Sequence, residues 1–457
     1  MRIEQLSNVT PEGLARALSE LESFVWLDSA RSSSPLSQWS LMSAAPTETL
    51  LIDQSGRVSL SGQELDLPPL EAIERFTKRP EMASGAVQGF PISEYVIGYV
   101  SYDFARLMSV ADRVPASPDN KQIEGAAAAF GHYPSLILIN HRDDQIWLVS
   151  TDADHAERLT SAINRFDTST QTKSKGLDWK PAETRESFVR KIGRLKNYIA
   201  DGDLYQANLA QRFTAELPDG FSPLSYYLGL REINAAPFAA YMQLGGRTIL
   251  SASPERLISL DANGEVEARP IKGTARAPDD PLQCAQAAEN LLSSEKDRAE
   301  NIMIVDLLRN DLSRVCDPHT IKVSQLCALE TYEGLHHLVS SIAGKLSSSA
   351  SPIDLFEACF PGGSITGAPK QRAMEIIQEL EGFDRGIFCG AIGYIGANGK
   401  LDFNIPIRTV EVTNTQAILH VGGGITHLSD ADAEYEETLL KAEKIFALNT
   451  LFNEAPE

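Results

Sequence analysis

The first half of the sequence contains no cysteine. The five cysteines (Cys284, Cys316, Cys327, Cys359 and Cys389) are odd in number, and no two are close. That pattern excludes a disulfide framework and a zinc-type spacing, and it predicts free thiols in a reducing compartment. No His-x3-His pairing offers a zinc site either. No apolar run is long enough to span a bilayer, and the start, MRIEQLSNVTPEGL, has no apolar signal core. The expectation is a soluble, cytoplasmic protein with no membrane partner. A basic block is also missing, which excludes nucleic acid, because phosphate backbones are bound by Lys/Arg surfaces. Nothing repeats at the solenoid period of roughly 20–50 residues.

What is present is ordinary globular composition, 43% hydrophobic and 23% charged, over 457 residues. A chain this long buries a core without disulfide or metal staples. At about 150 residues per domain, two or three domains or one two-lobed enzyme are expected. Lys and Arg number 41 against 62 Asp and Glu, a net charge of −21. Most of that charge serves solubility. Composition does not say whether a few of the carboxylates are ligands or catalysts.

Short β-like runs lie at 49–52, 95–100, 135–139 and 146–150, with helical candidates at 11–22 and 69–77. A polar stretch, TSTQTKSKGLDWK, then lacks apolar periodicity and reads as a linker. The chain thus divides into an N-terminal region 1–167, a linker 168–182 and a region 183–457. The last region opens with a helix at 184–200 and carries further helices at 295–308 and 434–452. Strand candidates at 248–251, 265–271, 390–395 and 417–421 make the pattern mixed α and β.

Two acidic pairs stand far apart in the sequence. Asp297 and Glu300 are three residues apart on one predicted helix; Glu434 and Glu437 are three apart on another, with Lys441 a turn later. Such separations put side chains on one helix face. Four carboxylates converging in a cleft call for a hard divalent cation such as Mg²⁺, which takes a few carboxylates plus substrate oxygens and water. The same spacing also suits solvated helix faces. Gly362–Lys370, GGSITGAPK, is a glycine-rich loop opening a helix, which either turns N–H groups toward an anion or makes a tight structural turn. It matches neither the P-loop nor GxGxxG spacing. Lys272, in RPIKGT, ends a strand-like run before a glycine. It is a nucleophile only if burial or a cation lowers its pKa, and otherwise a surface lysine. Gly422, Gly423 and Gly424 follow a β-like run and allow either close ligand approach or a bend. His336 and His337 alternate faces, so at most one faces a site. Arg408 is either a carboxylate fork or half of a structural ion pair.

Together these segments resemble the chorismate-utilising enzymes: the component I chains of anthranilate and aminodeoxychorismate (para-aminobenzoate) synthase, isochorismate synthase and salicylate synthase. The resemblance covers roughly residues 186–451 in family order. It runs through GDLYQANLAQRF, SASPERL, RPIKGTARA, DRAENIMIVDLLRNDLSRV, HHLVS, FPGGSITGAPKQRAMEII, GAIGY, IRTV, GGGI and EYEET. The N-terminal region resembles the family more weakly, through WLDSA and AAP.

The resemblance implies an α/β/β/α fold: two large antiparallel-rich sheets face to face with helices outside. It implies chorismate as substrate and Mg²⁺ as cofactor. Lysine at position 272 follows the pattern of bacterial-type aminodeoxychorismate synthases, where anthranilate and isochorismate synthases usually carry alanine. Lys272 would then attack chorismate covalently, and ammonia from a separate glutaminase subunit would give 4-amino-4-deoxychorismate, for para-aminobenzoate and folate synthesis. The alternatives are anthranilate synthase component I, or a non-catalytic chorismate- or tryptophan-binding subunit. By the same resemblance Glu255 is the general acid/base and His337 lies near the substrate ring. Glu300 and Glu437 are direct Mg²⁺ ligands, with Asp297 and Glu434 acting through water. Gly273, Thr274 and Ser364 line the ring-carboxylate site; Arg408, Gly423, Gly424 and Lys441 line the enolpyruvyl-carboxylate site. Ser29 matches a serine of the family's tryptophan pocket. Leu428 departs from the pattern, standing where Asp is common.

Overall fold

The strand Tyr95–Val100 shows how the fold is layered. Tyr95, Ile97 and Tyr99 enter one core cluster, while Val96 and Val100 enter another. Ser135–Asn140 divides likewise, with Leu136 and Leu138 on one side and Ile137 and Ile139 on the other. Successive strand residues point to opposite faces, so a strand that is apolar at every position must be covered on both. The computed structural model describes residues 1–29, 34, 36–78, 85–92, 94–116, 125–166, 174–332 and 334–453.

Two twelve-stranded antiparallel sheets account for this pattern, eleven strands of each in one path and a twelfth beside it: Gly367–Ala368 against Gln206–Glu216 in the first, Lys322–Tyr332 against Leu335–Lys345 in the second. The first begins with Arg2–Leu6, Gln145–Ser150, Ser135–Asn140, Trp39–Ser43 and Val25–Asp28. It continues through Phe238–Leu244, Arg247–Ser253, Thr409–Val412, Gln416–Ile425 and Gln206–Glu216 to Lys180–Pro181. The second begins with Ile271–Arg276, Leu335–Lys345, Glu265–Arg269, Arg256–Leu260, Leu401–Asn404 and Ala391–Gly396. It continues through Tyr95–Val100, Ala128–Tyr133 and Glu48–Ile52 to the short edge strands Val58–Leu60 and Gln63–Leu65. A central cluster holding Val25, Leu138, Met242, Tyr95 and Ile392 is the seam between them. Helices cover the outer faces. Pro69–Thr77, Glu295–Ser313 and Pro352–Cys359 pack on the second sheet. Pro11–Leu18, Ala153–Arg165, Pro223–Ile233 and Ala431–Asn453 pack on the first. This is the expected α/β/β/α arrangement.

Strands from before and after the predicted linker share both sheets: Val25–Asp28 pairs with Phe238–Leu244, and Tyr95–Val100 with Ala391–Gly396. Residues 168–173 of that linker lie outside the described residues, whereas Lys180–Pro181 adds an edge strand against Phe213 and Thr214. Some elements differ from expectation. The run 265–271 is two strands, split at Pro270, whose missing N–H cannot join a ladder. The strand at 417–421 extends over Gln416–Ile425 and contains the three glycines, and the two histidines lie inside Leu335–Lys345. All five cysteines are free thiols, and no helix among the described residues is long and apolar enough to cross a membrane.

Candidate active site

Lys272 sits on the edge strand Ile271–Arg276, paired with Leu338. The ladder then slips, so that Thr274, two residues on, faces His337. Gly273 takes a φ of +72° at the slip, which glycine adopts without a steric penalty. The bulge aims Lys272 inward, where its Nζ donates to the Ser364 carbonyl at 2.8 Å. Burial pushes its pKa down, against the pull of Glu300 and Glu255.

Glu255 lies in the corner between Arg247–Ser253 and Arg256–Leu260 and is buried. Burial raises its pKa, opposed by a hydrogen bond with Ser364 and by the Lys272 charge. Lys272 and Glu255 are therefore driven in opposite directions, each toward its neutral form. Thr274 Oγ1 and His337 Nδ1 are 3.0 Å apart. Burial, then Arg408, then His336 push His337 down to about 4, so it is neutral at physiological pH. His336 faces the other way, with Nδ1 2.8 Å from Thr331 Oγ1.

The helix Glu295–Ser313 starts beside the bulge. Ser294 caps it and bonds Asp297 Oδ2 at 2.5 Å, while a Cβ on Gly273 would lie 3.0 Å from Asp297. Asn301 donates to the Leu338 carbonyl at 3.1 Å, and Ile304 and Leu308 are buried, which fixes the helix's rotation. The helix Ala431–Asn453 buries Ala442, Ile445 and Leu448 against the first sheet. Its Glu434, Glu437 and Lys441 face the glycine strand: a Cβ on Gly423 would lie 3.4 Å from Glu434 Oε2 and 3.6 Å from both Glu437 Oε1 and Lys441 Nζ. A Cβ on Gly424 would lie 3.5 Å from Lys272 Nζ and 3.6 Å from Glu300 Oε2. Residues from three other segments thus meet over two bare backbone positions.

Glu300 Oε1 is buried without a protein hydrogen-bond partner, and burial raises that carboxyl's pKa. Burial also pushes Glu437 up, but Lys441 at 2.8 Å outweighs it and holds the carboxyl below its usual range. Among the described residues, no three His, Cys, Asp or Glu side chains close on one point. The acids stand instead beside two adjacent positions of the glycine strand, Glu434 and Glu437 by Gly423 and Glu300, with its unsatisfied oxygen, by Gly424. That donor set fits a hard cation completing its shell with water and substrate oxygens. Arg408 completes the cationic side. It is held at a φ of +52°, its pKa is lowered by burial alone, and among the described residues no carboxylate pairs with it. A half-buried guanidinium of this kind suits a ligand carboxylate.

The glycine-rich turn works mainly by close packing. A Cβ on Gly367 would meet the Gln206 carbonyl at 2.2 Å, and one on Gly363 would meet Leu307 at 2.6 Å. Ser29 lies apart from this cluster, buried, with Oγ donating to the Trp39 carbonyl at 2.8 Å. Leu428 points to solvent, in a turn where Thr426 N donates to Ser429 Oγ at 3.1 Å. Sequence reasoning missed Lys296, which bonds Glu434 Oε1 at 3.1 Å; its place directly before Asp297 was the available signal.

The family model described as chorismate binding enzyme matches residues 22–447. The chain belongs to this family. Aminodeoxychorismate synthase component 1 of Escherichia coli (strain K12) is 36% identical over 439 residues, covering 94% of this chain and 93% of that protein. The Salmonella typhimurium protein of the same name is 42% identical over 361 residues, covering 78% and 76%. The crystal structure of anthranilate synthase component I from Streptococcus pneumoniae superposes with a TM-score of 0.78 at 30% identity, covering 91% of this chain and 93% of that one.

Proposed function

We propose that the chain is the chorismate-aminating subunit of an aminodeoxychorismate synthase. The observation that carries this reading is the half-buried Lys272 amine, facing Glu255 on one side and the glycine strand on the other. In its neutral form the amine attacks ring carbon 2 of chorismate as the C4–O bond breaks. Glu255, its pKa raised by burial, gives its proton to the leaving hydroxyl, which departs as water. Ammonia then bonds carbon 4 as the C2–N bond breaks and Lys272 leaves as the neutral amine; the new ammonium gives a proton back to Glu255, and 4-amino-4-deoxychorismate is released. Gly273, Thr274 and Ser364 orient the ring carboxylate, and Arg408, Lys441, Gly423 and Gly424 the enolpyruvyl carboxylate. Neutral His337 packs by the ring without adding charge. Glu300 and Glu437, with Asp297 and Glu434 through water, would hold Mg²⁺, which neutralises the substrate's carboxylate charge when bound. Ammonia would come from a separate glutaminase subunit.

Incubation with chorismate, MgCl2 and ammonium tests this reading. The expected product is 4-amino-4-deoxychorismate, with turnover lost in EDTA and restored by excess MgCl2. Strong anthranilate fluorescence would sink the assignment.

The Ser29 region is proposed as a tryptophan site. Ser29, Trp39 and Phe238 of the first sheet and Phe90, Tyr394 and Asp402 line a cavity of about 320 Å³. Aromatic walls with a few polar groups suit an aromatic amino acid.

A further inference from the structure

Three lysines neutralise the acidic cleft, and two are tied to the backbone. Lys272 Nζ is held by the Ser364 carbonyl and Lys441 Nζ by the Gly422 carbonyl, each at 2.8 Å. Lys296 is not. Among the described residues its hydrogen bond is to Glu434 Oε1, 3.1 Å away across the gap between helices Glu295–Ser313 and Ala431–Asn453. The pair is lopsided: the lysine side chain is 40% exposed, the glutamate 5%. Lys296 can swing into water, whereas Glu434 cannot leave the cleft. Glu434 is one of the residues read above as holding the metal, and Asp297, another, is the next residue in the chain after Lys296.

We propose that Lys296 is a built-in counter-cation that competes with Mg²⁺ for the carboxylates of this cleft. The inference rests on the Mg²⁺ reading. It assigns the lysine a role that opposes the metal: it screens the acids on the two helices from one another, and it must release Glu434 when the divalent ion binds. The exchange is open to the lysine because its side chain is 40% exposed and its ammonium is rehydrated as it leaves Glu434. Mg²⁺ affinity is thereby set below what four carboxylates would give.

Calorimetric titration of the full-length protein with MgCl2 tests this, using wild type, Lys296→Met and Arg298→Gln. Arg298 is exposed on the same helix, so its loss matches the change in charge without touching Glu434. Removing a cation this close to the ligands tightens Mg²⁺ binding in Lys296→Met by about tenfold, against a change of under about threefold in Arg298→Gln. In EDTA, Lys296→Met melts below wild type, and MgCl2 raises its Tm by more. Lys296→Gln repeats the measurement should the methionine variant fold poorly. Equal or weaker Mg²⁺ binding in the lysine variants, with wild type binding normally, overturns the inference alone, because Lys296 would then be orienting Glu434. Absence of Mg²⁺ binding in every protein removes the metal reading and this inference with it.

Discussion

At Lys272, burial and charge pull in opposite directions. The interior favours a neutral amine, Glu300 and Glu255 favour an ammonium, and burial prevails. Glu255 responds oppositely, its carboxyl pushed above the usual range by burial. The reaction needs the neutral lysine and the protonated glutamate together. The rate should therefore rise with pH as Lys272 loses its proton and fall as Glu255 loses its own, giving a bell. His337, pushed down to about 4, contributes no limb near neutrality. In Glu255→Gln the residual rate should keep the rising limb and lose the falling one. Lys272→Ala should lower turnover by about a hundredfold or more, since losing a covalent nucleophile costs orders of magnitude. A falling limb that persists in Glu255→Gln would assign the acid to another group.

On the strand Gln416–Ile425, adjacent glycines do different work. A Cβ on Gly422 would meet the Leu209 carbonyl at 2.6 Å and Ala210 Cα at 3.0 Å, both backbone atoms that cannot give way. One on Gly424 would meet only side-chain ends at 3.5 and 3.6 Å, an ordinary contact. Gly422→Ala should cost about 1–3 kcal/mol, as overpacking does, and lower the Tm. Gly424→Ala should keep its Tm but raise the KM for chorismate about tenfold, because the methyl fills space the substrate needs. Normal KM in the second variant would move the substrate away from this strand. The contrast also shows what was legible. Helix Pro69–Thr77 was read to the residue, because its periodic apolar face and flanking prolines are local signals. The glycine strand was cut short at 421, since glycine carries no strand signal and its reason for being there is the Leu209 backbone two hundred residues away. The slip at Gly273 was equally invisible, being a relation between strands. The site residues were named by family resemblance; their burial, which sets the chemistry, came from packing.

Across the whole molecule, the proposed tryptophan cavity has one wall from each sheet. Ser29 and Phe238 stand on the first, Tyr394 and Asp402 on the second. A ligand there binds the folded chain and not the unfolded one, so tryptophan should raise the Tm in a concentration-dependent way. At a hundred times its Kd the added stability is about 2.7 kcal/mol. An unchanged melting curve at millimolar tryptophan would remove the proposal. The chain's acidic surface hides this division of labour, because net charge reports neither the seam nor the cationic cleft.

The order of strands also bears on synthesis. Tyr95–Val100 lies between Ala128–Tyr133, made soon after it, and Ala391–Gly396, made nearly three hundred residues later. Val25–Asp28 waits similarly for Phe238–Leu244. A ribosome adds about 5–20 residues per second. The aromatic strand at 95–100 therefore leaves the exit tunnel many seconds before its second neighbour exists, with one edge unpaired and apolar. In the cell this nascent half is a client for whatever holds unpaired strands apart until the last quarter of the chain arrives.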